Sequence, residues 1–306
     1  MQTSVSQIRV MAFAVSALLL AAACASSPQT PRAGPSTSAT VTNMATSSAA
    51  GRTSTATSTA TPGTTSITRA STTKAPTSSN PTSRASTTAP TATIPRSLAG
   101  QVVTHIPTSR KVVALTFDAG ANGDGVDSIL ATLARERVGA SFFLTGDFVA
   151  GHPALARRMS AAGRLGNHTT DHPHLPPLTD TQVRAQITGA RTTILRVTGK
   201  DPRPLFRFPF GDSSPRDLKM VNALGYVAVG WTIDTLGWQG TSGARSVNSV
   251  VQRVLAAATP GEIVLMHVGS HPSDRSTLDA DALPRVIAGL RAAGYGFVTL
   301  DALGAG

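Results

Sequence analysis

Hydrophobic residues are distributed very unevenly along this chain. From residue 101 onward, short apolar runs alternate with stretches of helical periodicity, whereas residues 26–93 show no apolar periodicity. Such alternation is typical of an α/β domain with parallel strands. The predicted strands are 112–117, 141–144, 205–208, 226–231, 263–267 and 297–300, and the predicted helices are 126–135, 154–162, 180–197, 215–223, 247–257 and 283–293.

About 200 residues of repeating strand and helix predict one closed or nearly closed (β/α) barrel. An open doubly wound sheet is the alternative architecture. No glycine-rich phosphate loop follows the first predicted strand, so the sequence does not support a nucleotide site.

The amino terminus has the pattern of an export signal over residues 1–23. Arg9 follows a polar start, residues 10–20 form an apolar run, and residues 21–23 supply small side chains at a cleavage site. The apolar run is too short to be a comfortable membrane span. We therefore expect the protein to be exported.

Cys24 is the single cysteine of the chain and directly follows this signal. A bacterial lipobox places the lipidated cysteine at this point, although Leu20 stands one position too early and Ala21 occupies the place of the favoured leucine. Lipidation of Cys24, with anchoring to the outer face of the cell membrane, and simple cleavage that releases a secreted protein both stay open. A single cysteine excludes an internal disulfide framework, so stability must come from a hydrophobic core.

Composition divides the chain into three parts. Residues 1–23 are the predicted signal peptide, residues 24–95 are a Ser, Thr, Ala and Pro rich segment that we expect to be a disordered linker, and residues 96–306 are the folded domain. Acidic residues occur only from residue 96 onward, so the net charge of +11 divides into +6 before residue 96 and +5 from residue 96 onward. The basic residues are scattered, which argues against nucleic acid and favours an anionic envelope surface.

Polar and ionisable residues concentrate where the predicted strands end, which is where parallel α/β folds place their sites. Five clusters carry them: 116–120 (TFDAG), 167–172 (NHTTDH), 207–211 (RFPFG), 231–234 with Trp238, and 265–267 (LMH). Each cluster alone is a weak signal. In this order, the five segments resemble the motifs of the NodB-homology polysaccharide deacetylases, carbohydrate esterase family four.

This resemblance implies a distorted (β/α) barrel, a divalent metal and hydrolysis of N-acetyl or, less often, O-acetyl groups. The family's metal histidines match His168 and His172, whose spacing lets both imidazoles face one cation when the segment is helical or tightly turned. Zinc is the simplest expectation, with cobalt or another transition metal as alternatives. A surface turn rich in histidine is the structural alternative, since His174 lies close by.

The remaining motif residues match the family's catalytic groups. Asp118 matches the general base, His267 the general acid, Arg207 the arginine that orients the base, and Asp234 a carboxylate that tunes the catalytic His or Arg. Structural roles are the alternatives: a buried histidine for His267 and an ion pair for the others. Phe210 and Trp238 are then candidate apolar walls for the substrate, unless they belong to the core.

Two positions depart from the family pattern. Ala119 stands where a second, metal-binding aspartate follows the base, and Gly237 stands where an aspartate is common before Trp238. Two histidines then remain where three protein ligands are expected for a catalytic zinc. Asp118 could move onto the metal, additional waters could fill its shell, or another residue could supply the ligand, for which the candidates are Asn122, Asp124 and Asp171.

The resulting hypothesis is an exported enzyme that deacetylates the GlcNAc or MurNAc of peptidoglycan, with chitin and xylan as other substrates. Its expected partners are cell-wall polysaccharide and, through Cys24, the membrane; the sequence predicts no nucleic acid and no protein partner. The competing hypothesis is an envelope-polysaccharide-binding protein whose turnover is impaired. A metalloprotease is disfavoured because the His168 and His172 pair lacks the glutamate of the HExxH motif.

Overall fold

The computed structural model describes residues 96–304, so the signal, Cys24 and the linker lie outside it. Its strands are β1 (Val102–Val103), β2 (Val112–Ala119), β3 (Ser141–Leu144), β4 (Arg164–Asn167), β5 (Leu205–Phe206), β6 (Val227–Val229), β7 (Ile233–Asp234), β8 (Glu262–His267) and β9 (Gly296–Phe297). Its helices are α1 (Val126–Glu136), α2 (Gly146–Gly151), α3 (Pro153–Ala162), α4 (Asp180–Thr198), α5 (Pro215–Ala223), α6 (Val247–Ala257) and α7 (Leu278–Ala292), with 3-10 turns at Arg96–Leu98, Pro209–Gly211, Gly237–Gln239 and Leu300–Gly304. None of the helices in this part of the chain combines the length and apolar character needed to cross a membrane.

All the paired strands run parallel in one curled sheet, in the order β1-β6-β5-β4-β3-β2-β8-β7, and β9 pairs with the start of β2. The strand β2 is an inner strand of this sheet: all eight of its residues are buried, and it pairs with β8 over six residues and with β3 over four. The helices cover the outer face of this sheet. The predicted distorted (β/α) barrel is therefore confirmed, and the open doubly wound alternative is wrong.

Alternate residues of β2 enter two different parts of the core. Val113, Leu115 and Phe117 pack in the large cluster with the outer helices, whereas Ala114 packs with residues of the barrel interior. This alternation is the period of two that a strand imposes on its side chains. It leaves Asp118, on the interior side, at the carboxyl end of the barrel.

The segment after β1 bridges the two edges of the curled sheet, formed by β1 and β7. The Thr232 hydroxyl donates to the Thr104 carbonyl at 2.6 Å, and the Ile106 N–H donates to the Gly261 carbonyl at 2.8 Å, just before β8. The β1 and β7 strands do not pair with each other within residues 96–304. Irregular chain rather than a strand pair therefore joins the two sides of the barrel here.

The predicted strands at 112–117, 141–144 and 263–267 match β2, β3 and β8 closely, because these runs are apolar and wholly or mostly buried. The short elements β1, β4, β7 and α2 were missed. The sequence of β4 has no apolar run, and pairing with β3 and β5 holds it in the sheet.

Two predicted boundaries near the carboxyl terminus are wrong. The last helix begins at Leu278 rather than 283 and continues through Pro284. The predicted strand at 297–300 ends at Phe297, because Leu300 starts a 3-10 turn whose first N–H donates to the buried Ser141 hydroxyl at 3.0 Å.

Candidate active site

A cavity of about 630 Å³ lies at the carboxyl ends of the barrel strands. It is lined by residues from all five motif clusters of the sequence: Asp118, Gly120, Ala121, His168, His172, Phe208, Phe210, Trp231, Asp234, Trp238, Leu265 and His267. Arg207 lies directly behind this lining and is wholly buried. The structure thus brings together the residues that the sequence selected as catalytic, metal-binding and substrate-binding candidates.

Asp118 and Arg207 form a buried ion pair at the floor of the cavity. One guanidinium nitrogen donates to Asp118 Oδ1 at 2.7 Å, and the other two donate to the carbonyls of Gly230 and Val229 at 3.0 and 3.3 Å. The guanidinium also lies 4.0 Å from the centre of the Phe143 ring. Burial alone would raise the pKa of Asp118, but the charges of Arg207, His168 and His267, together with the hydrogen bond from Arg207, outweigh the burial and lower the pKa. Asp118 is therefore held as a carboxylate.

His168 and His172 turn their imidazoles toward each other beside this carboxylate. The Nε2 atoms of the two rings are 3.1 Å apart, and His168 Nε2 is 3.3 Å from Asp118 Oδ2. His168 Nδ1 is 2.9 Å from the carbonyl of Arg207, which accepts a hydrogen bond from Nδ1–H and leaves the Nε2 lone pair directed at the cavity. Burial lowers the pKa of both rings, that of His172 to about 4. Both are therefore held in the neutral form that binds metals.

A tight turn rather than a helix produces this arrangement. Thr169 and His172 have positive φ angles of 68° and 63°, which fold the chain back between the two histidines. The Thr169 N–H donates to Asn167 Oδ1 at 2.9 Å, and its hydroxyl accepts the His172 N–H at 3.2 Å. Of the two geometries that the sequence allowed for this pair, the structure shows the turned one.

Ala119 does not reach the cavity. Its side chain is wholly buried and packs in the outer core cluster. Within residues 96–304, no group of three or more His, Cys, Asp or Glu side chains is arranged to hold a metal ion. The carboxylate that lies beside the two imidazoles is that of Asp118, and it is already paired with Arg207.

The other ligands suggested for the place of the missing aspartate are engaged elsewhere. Asn122 Oδ1 accepts the Ser270 N–H at 2.8 Å, and Asp124 Oδ2 accepts from Arg275 at 2.6 Å. Asp171 is exposed and does not line the cavity. Asn122 and Asp124 thus hold the surrounding loops together, and neither of them lines the cavity.

His267 lies across the cavity at the end of β8, and its pKa is raised. Burial alone would lower it, but the carboxylates of Asp279, Asp118 and Asp234 together outweigh the burial. Asp234 itself accepts from the Leu236 N–H at 2.8 Å and from Trp238 Nε1 at 3.3 Å. Among the described residues, its carboxylate makes no hydrogen bond to His267 or Arg207, so its visible role is to hold the turn that carries Trp238.

Asp279, at the start of α7, was not selected from the sequence. It is almost wholly buried, its Oδ2 accepts the His267 N–H at 2.8 Å, and its Oδ1 accepts the Thr235 hydroxyl at 2.7 Å. The predicted helix began after this residue, so Asp279 was assigned to a loop. An aspartate at a correctly placed helix start would have been the signal, but a weak one, because acidic residues are common there.

Phe210 and Trp238 stand at the rim of the cavity, with 58% and 49% of their surfaces exposed. Phe210 has a positive φ of 59° and stacks on His174, with ring centres 4.0 Å apart. Trp238 lies 6.4 Å from the His267 ring, measured between centres. Exposed aromatic rings at the mouth of a polar cavity form suitable faces for a sugar ring.

Comparison with known proteins agrees with this geometry. Residues 105–229 match the family model described as polysaccharide deacetylase. A peptidoglycan-N-acetylglucosamine deacetylase of Bacillus cereus is 32% identical over 198 residues, which are 64% of this chain and 70% of the relative. The peptidoglycan-N-acetylmuramic acid deacetylase PdaA of Bacillus subtilis is 32% identical over 197 residues, 64% of this chain and 72% of the relative.

The chain is also similar to a solved structure of the same family. It is a mutant, with restored enzymatic activity, of a Bacillus anthracis pseudoenzyme of carbohydrate esterase family four. It superposes with a TM-score of 0.61 at 27% identity and covers 67% of this chain and 71% of its own. With its fold, its ordered motif clusters and these relatives, the chain belongs to the NodB-homology polysaccharide deacetylases, carbohydrate esterase family four.

Proposed function

We propose that this protein hydrolyses the N-acetyl groups of a cell-envelope polysaccharide, with the GlcNAc or MurNAc of peptidoglycan as the favoured substrate. The observation that carries the proposal is the pairing, across one cavity, of an ionised Asp118 with a His267 whose pKa is raised. A base and an acid of this kind are what amide hydrolysis requires. The names of the bacterial relatives favour peptidoglycan, and chitin and xylan remain candidate substrates.

Two of the residues that line the cavity are suitable ligands for one divalent metal ion. His168 and His172 would hold it through their Nε2 atoms, which converge and are kept neutral. Zinc is the proposed ion, and cobalt or another transition metal would suit the same donors. When bound, the metal supplies Lewis-acid polarisation of the acetyl carbonyl and makes water more acidic. The absence of a third ligand at Ala119 implies weaker binding than in a site with three protein ligands.

Two side chains of this protein, Asp118 and His267, account for the proton transfers. Asp118 accepts a proton from the attacking water as the water oxygen bonds to the acetyl carbon, and Arg207 keeps the carboxylate in place. His267 then donates a proton to the sugar nitrogen as the carbon–nitrogen bond breaks. Acetate and a free amine leave, so the amine is never expelled as an anion.

The rim aromatics would hold the polymer over these groups. Phe210 and Trp238 expose large apolar faces on the cavity mouth, where pyranose rings can stack. Trp238 is further fixed by its hydrogen bond to Asp234. This contact gives Asp234 a proposed role in binding the substrate, beside its charge effect on His267.

Export and anchoring are part of the same proposal. The signal-like residues 1–23, a lipid on Cys24 and a flexible segment 24–95 would place the domain outside the cell, tethered to the outer face of the membrane. Labelling cells with a radioactive fatty acid tests this proposal, because Cys24→Ser should lose the label and move the protein from the membrane fraction to the medium.

A catalytically impaired polysaccharide-binding protein is the second candidate. The observation that favours it is Ala119, which lies in the core where the family's metal-binding aspartate is expected. The similar Bacillus anthracis structure, described as a pseudoenzyme, indicates that this fold exists without activity. The base, the acid, the orienting arginine and both histidines are nevertheless all present here, and these favour an active enzyme.

Acetate release separates the two candidates. The purified protein is incubated with peptidoglycan and with chitin oligomers, with zinc or cobalt added and after chelation. Release that depends on metal and is lost in Asp118→Asn, assayed at a temperature at which that variant is still folded, supports the enzyme. The matched control is Asp127→Asn, an exposed carboxylate on α1 that pairs with Arg158 and should retain full activity. Polymer binding without release under any metal would support the binding protein instead.

A further inference from the structure

We infer that Asp279 is the residue that positions the imidazole of His267, in place of a carboxylate at position 237. The inference rests on the proposed function, in which His267 is the general acid. The juxtaposition that carries it is a buried carboxylate on α7 that fills the space where a side chain at Gly237 would begin.

The contacts of Asp279 place its charge directly behind the His267 ring. Its Oδ2 accepts the backbone N–H of His267 at 2.8 Å and lies 3.7 Å from Nδ1 of the same residue. Nδ1 is buried and has no hydrogen-bond partner among the described residues. The Asp279 carboxylate is within reach of Nδ1 after a small rotation of the ring, and such bonds often tighten only in the substrate complex.

The carboxylate is itself held in a fixed orientation. The Thr235 hydroxyl donates to its Oδ1 at 2.7 Å, and the Gly237 N–H in turn donates to the Thr235 hydroxyl at 3.3 Å. Only 3% of Asp279 is exposed. A buried carboxylate that receives two donors keeps its geometry, and its remaining capacity to accept faces the imidazole.

Gly237 shows why the carboxylate can sit there. A Cβ atom built on Gly237 would lie 2.6 Å from Cγ of Asp279 and would overlap its Oδ1. The two positions therefore share one volume, and a side chain at 237 excludes the present position of Asp279. The carboxylate that is common at this position in the family pattern is thus supplied here from another element of the fold.

The consequence for chemistry follows from the tautomer. If Nδ1–H donates to Asp279, the neutral ring keeps its lone pair on Nε2, which faces the cavity, and the protonated ring delivers its proton from Nε2. Without Asp279 the ring can adopt either tautomer and can rotate. The pKa of His267 should then fall, because Asp279 makes the largest contribution among the groups that raise it.

Five versions of the full chain test this inference: the wild type, Asp279→Asn, Asp279→Ala, Gly237→Asp and the double variant Asp279→Ala with Gly237→Asp. Acetate release is expected to fall at least about tenfold in Asp279→Asn and Asp279→Ala, a part of the roughly 10²–10⁴-fold that a positioned acid contributes. Gly237→Asp alone should also lose activity because two carboxylates compete for one volume. The double variant should recover most of the rate, since its carboxylate starts from the vacated place.

The matched control is Asp281→Asn, which removes the same charge from the same first turn of α7. Asp281 is exposed and contacts Thr277, so its loss should leave the rate and its pH profile unchanged. A purely structural role for Asp279 would lower stability without shifting the alkaline limb of that profile, which reports the ionisation of the acid.

Imidazole nitrogen-15 shifts of His267, measured without added metal or substrate, give a readout that does not need activity. The wild type and the double variant should show Nδ1 protonated in the neutral ring, and Asp279→Ala a mixture of tautomers. If the wild type is inactive but the shifts behave in this way, the positioning role stands and the proposed function fails. Unchanged shifts and an unchanged pH profile in Asp279→Ala would overturn the positioning role whatever the activity.

Discussion

Removing the charge of Asp118 should destabilise the domain more than most single substitutions, because it isolates a fully buried cation. Arg207 has no exposed surface, and its compensation consists of one carboxylate and two backbone carbonyls. Asp118→Asn preserves the shape and one acceptor but leaves the guanidinium without a counter-charge. Loss of one partner of a buried pair costs about 3–5 kcal/mol.

The expected loss of stability can be converted into a change in the melting temperature. For a domain of this size, each kcal/mol changes the melting temperature by about 2–4 °C, so Asp118→Asn should lower it by roughly 6–20 °C. Arg207→Met should cost as much, because it strands the carboxylate of Asp118 and frees two carbonyls. The double variant should be more stable than the sum of the single effects predicts, with a coupling of about 2–3 kcal/mol.

Urea unfolding at neutral pH measures all four proteins. The matched control is the exposed pair of Asp127 and Arg158, whose side chains are 74% and 52% exposed and whose nearest atoms are 2.5 Å apart. Its coupling should not exceed about 1 kcal/mol because water already screens both charges. Equal couplings for the two pairs, or a full-stability Asp118→Asn, would refute the claim that burial makes the Asp118 and Arg207 charges interdependent.

Three further predictions concern other parts of the barrel. Burial raises the pKa of Glu262 from 4.5 to about 7, so the folded state holds its proton more tightly and the free energy of unfolding should fall by about 3 kcal/mol as the pH rises from 4.5 to 7. Glu262→Gln should flatten that part of the stability profile, and an identical decline in both proteins would contradict the assignment. Ala119→Asp should destabilise the metal-free protein, since the side chain enters an apolar cluster, and should leave zinc affinity by calorimetry unchanged, because position 119 faces away from the cavity; an affinity gain of about tenfold or more would mean that a side chain at 119 reaches the histidines. Trp238→Ala should weaken polymer binding while changing stability by less than about 1 kcal/mol, and unaltered binding would remove Trp238 from the proposed substrate surface.

The sequence predicted the architecture because the central strands are marked by their own composition. The strand β2 is buried along its whole length and reads as an apolar run, so its position could be inferred without knowledge of its neighbours. The strand β4 could not, because Arg164, Gly166 and Asn167 give it no strand character of their own. A Cβ on Gly166 would lie 2.5 Å from the Phe143 ring, so this position is shaped by tertiary packing.

The candidate site likewise has a part that the sequence predicted and a part that it did not. Asp118, His168 and His267 occur in short motifs at strand ends, and their convergence follows from a parallel barrel once the strands are placed. The contact between His267 and Asp279 depends on where α7 begins and on the space that Gly237 leaves. Neither the start of the helix nor this space can be inferred from neighbouring residues alone. Pro284 does not mark the start of the helix either, because it lies inside the helix, well after Leu278.

The shared volume of Gly237 and Asp279 has a consequence for evolution and for engineering. Because an aspartate at either position excludes the other, the effect of a substitution at one site depends on the residue at the other, which is epistasis with a steric cause. A lineage could move the carboxylate between the two elements only through an intermediate with two carboxylates or with none. Grafting a relative's segment that corresponds to residues 231–238 and carries an aspartate at position 237 into this chain should therefore fail unless the first turn of α7 is exchanged with it.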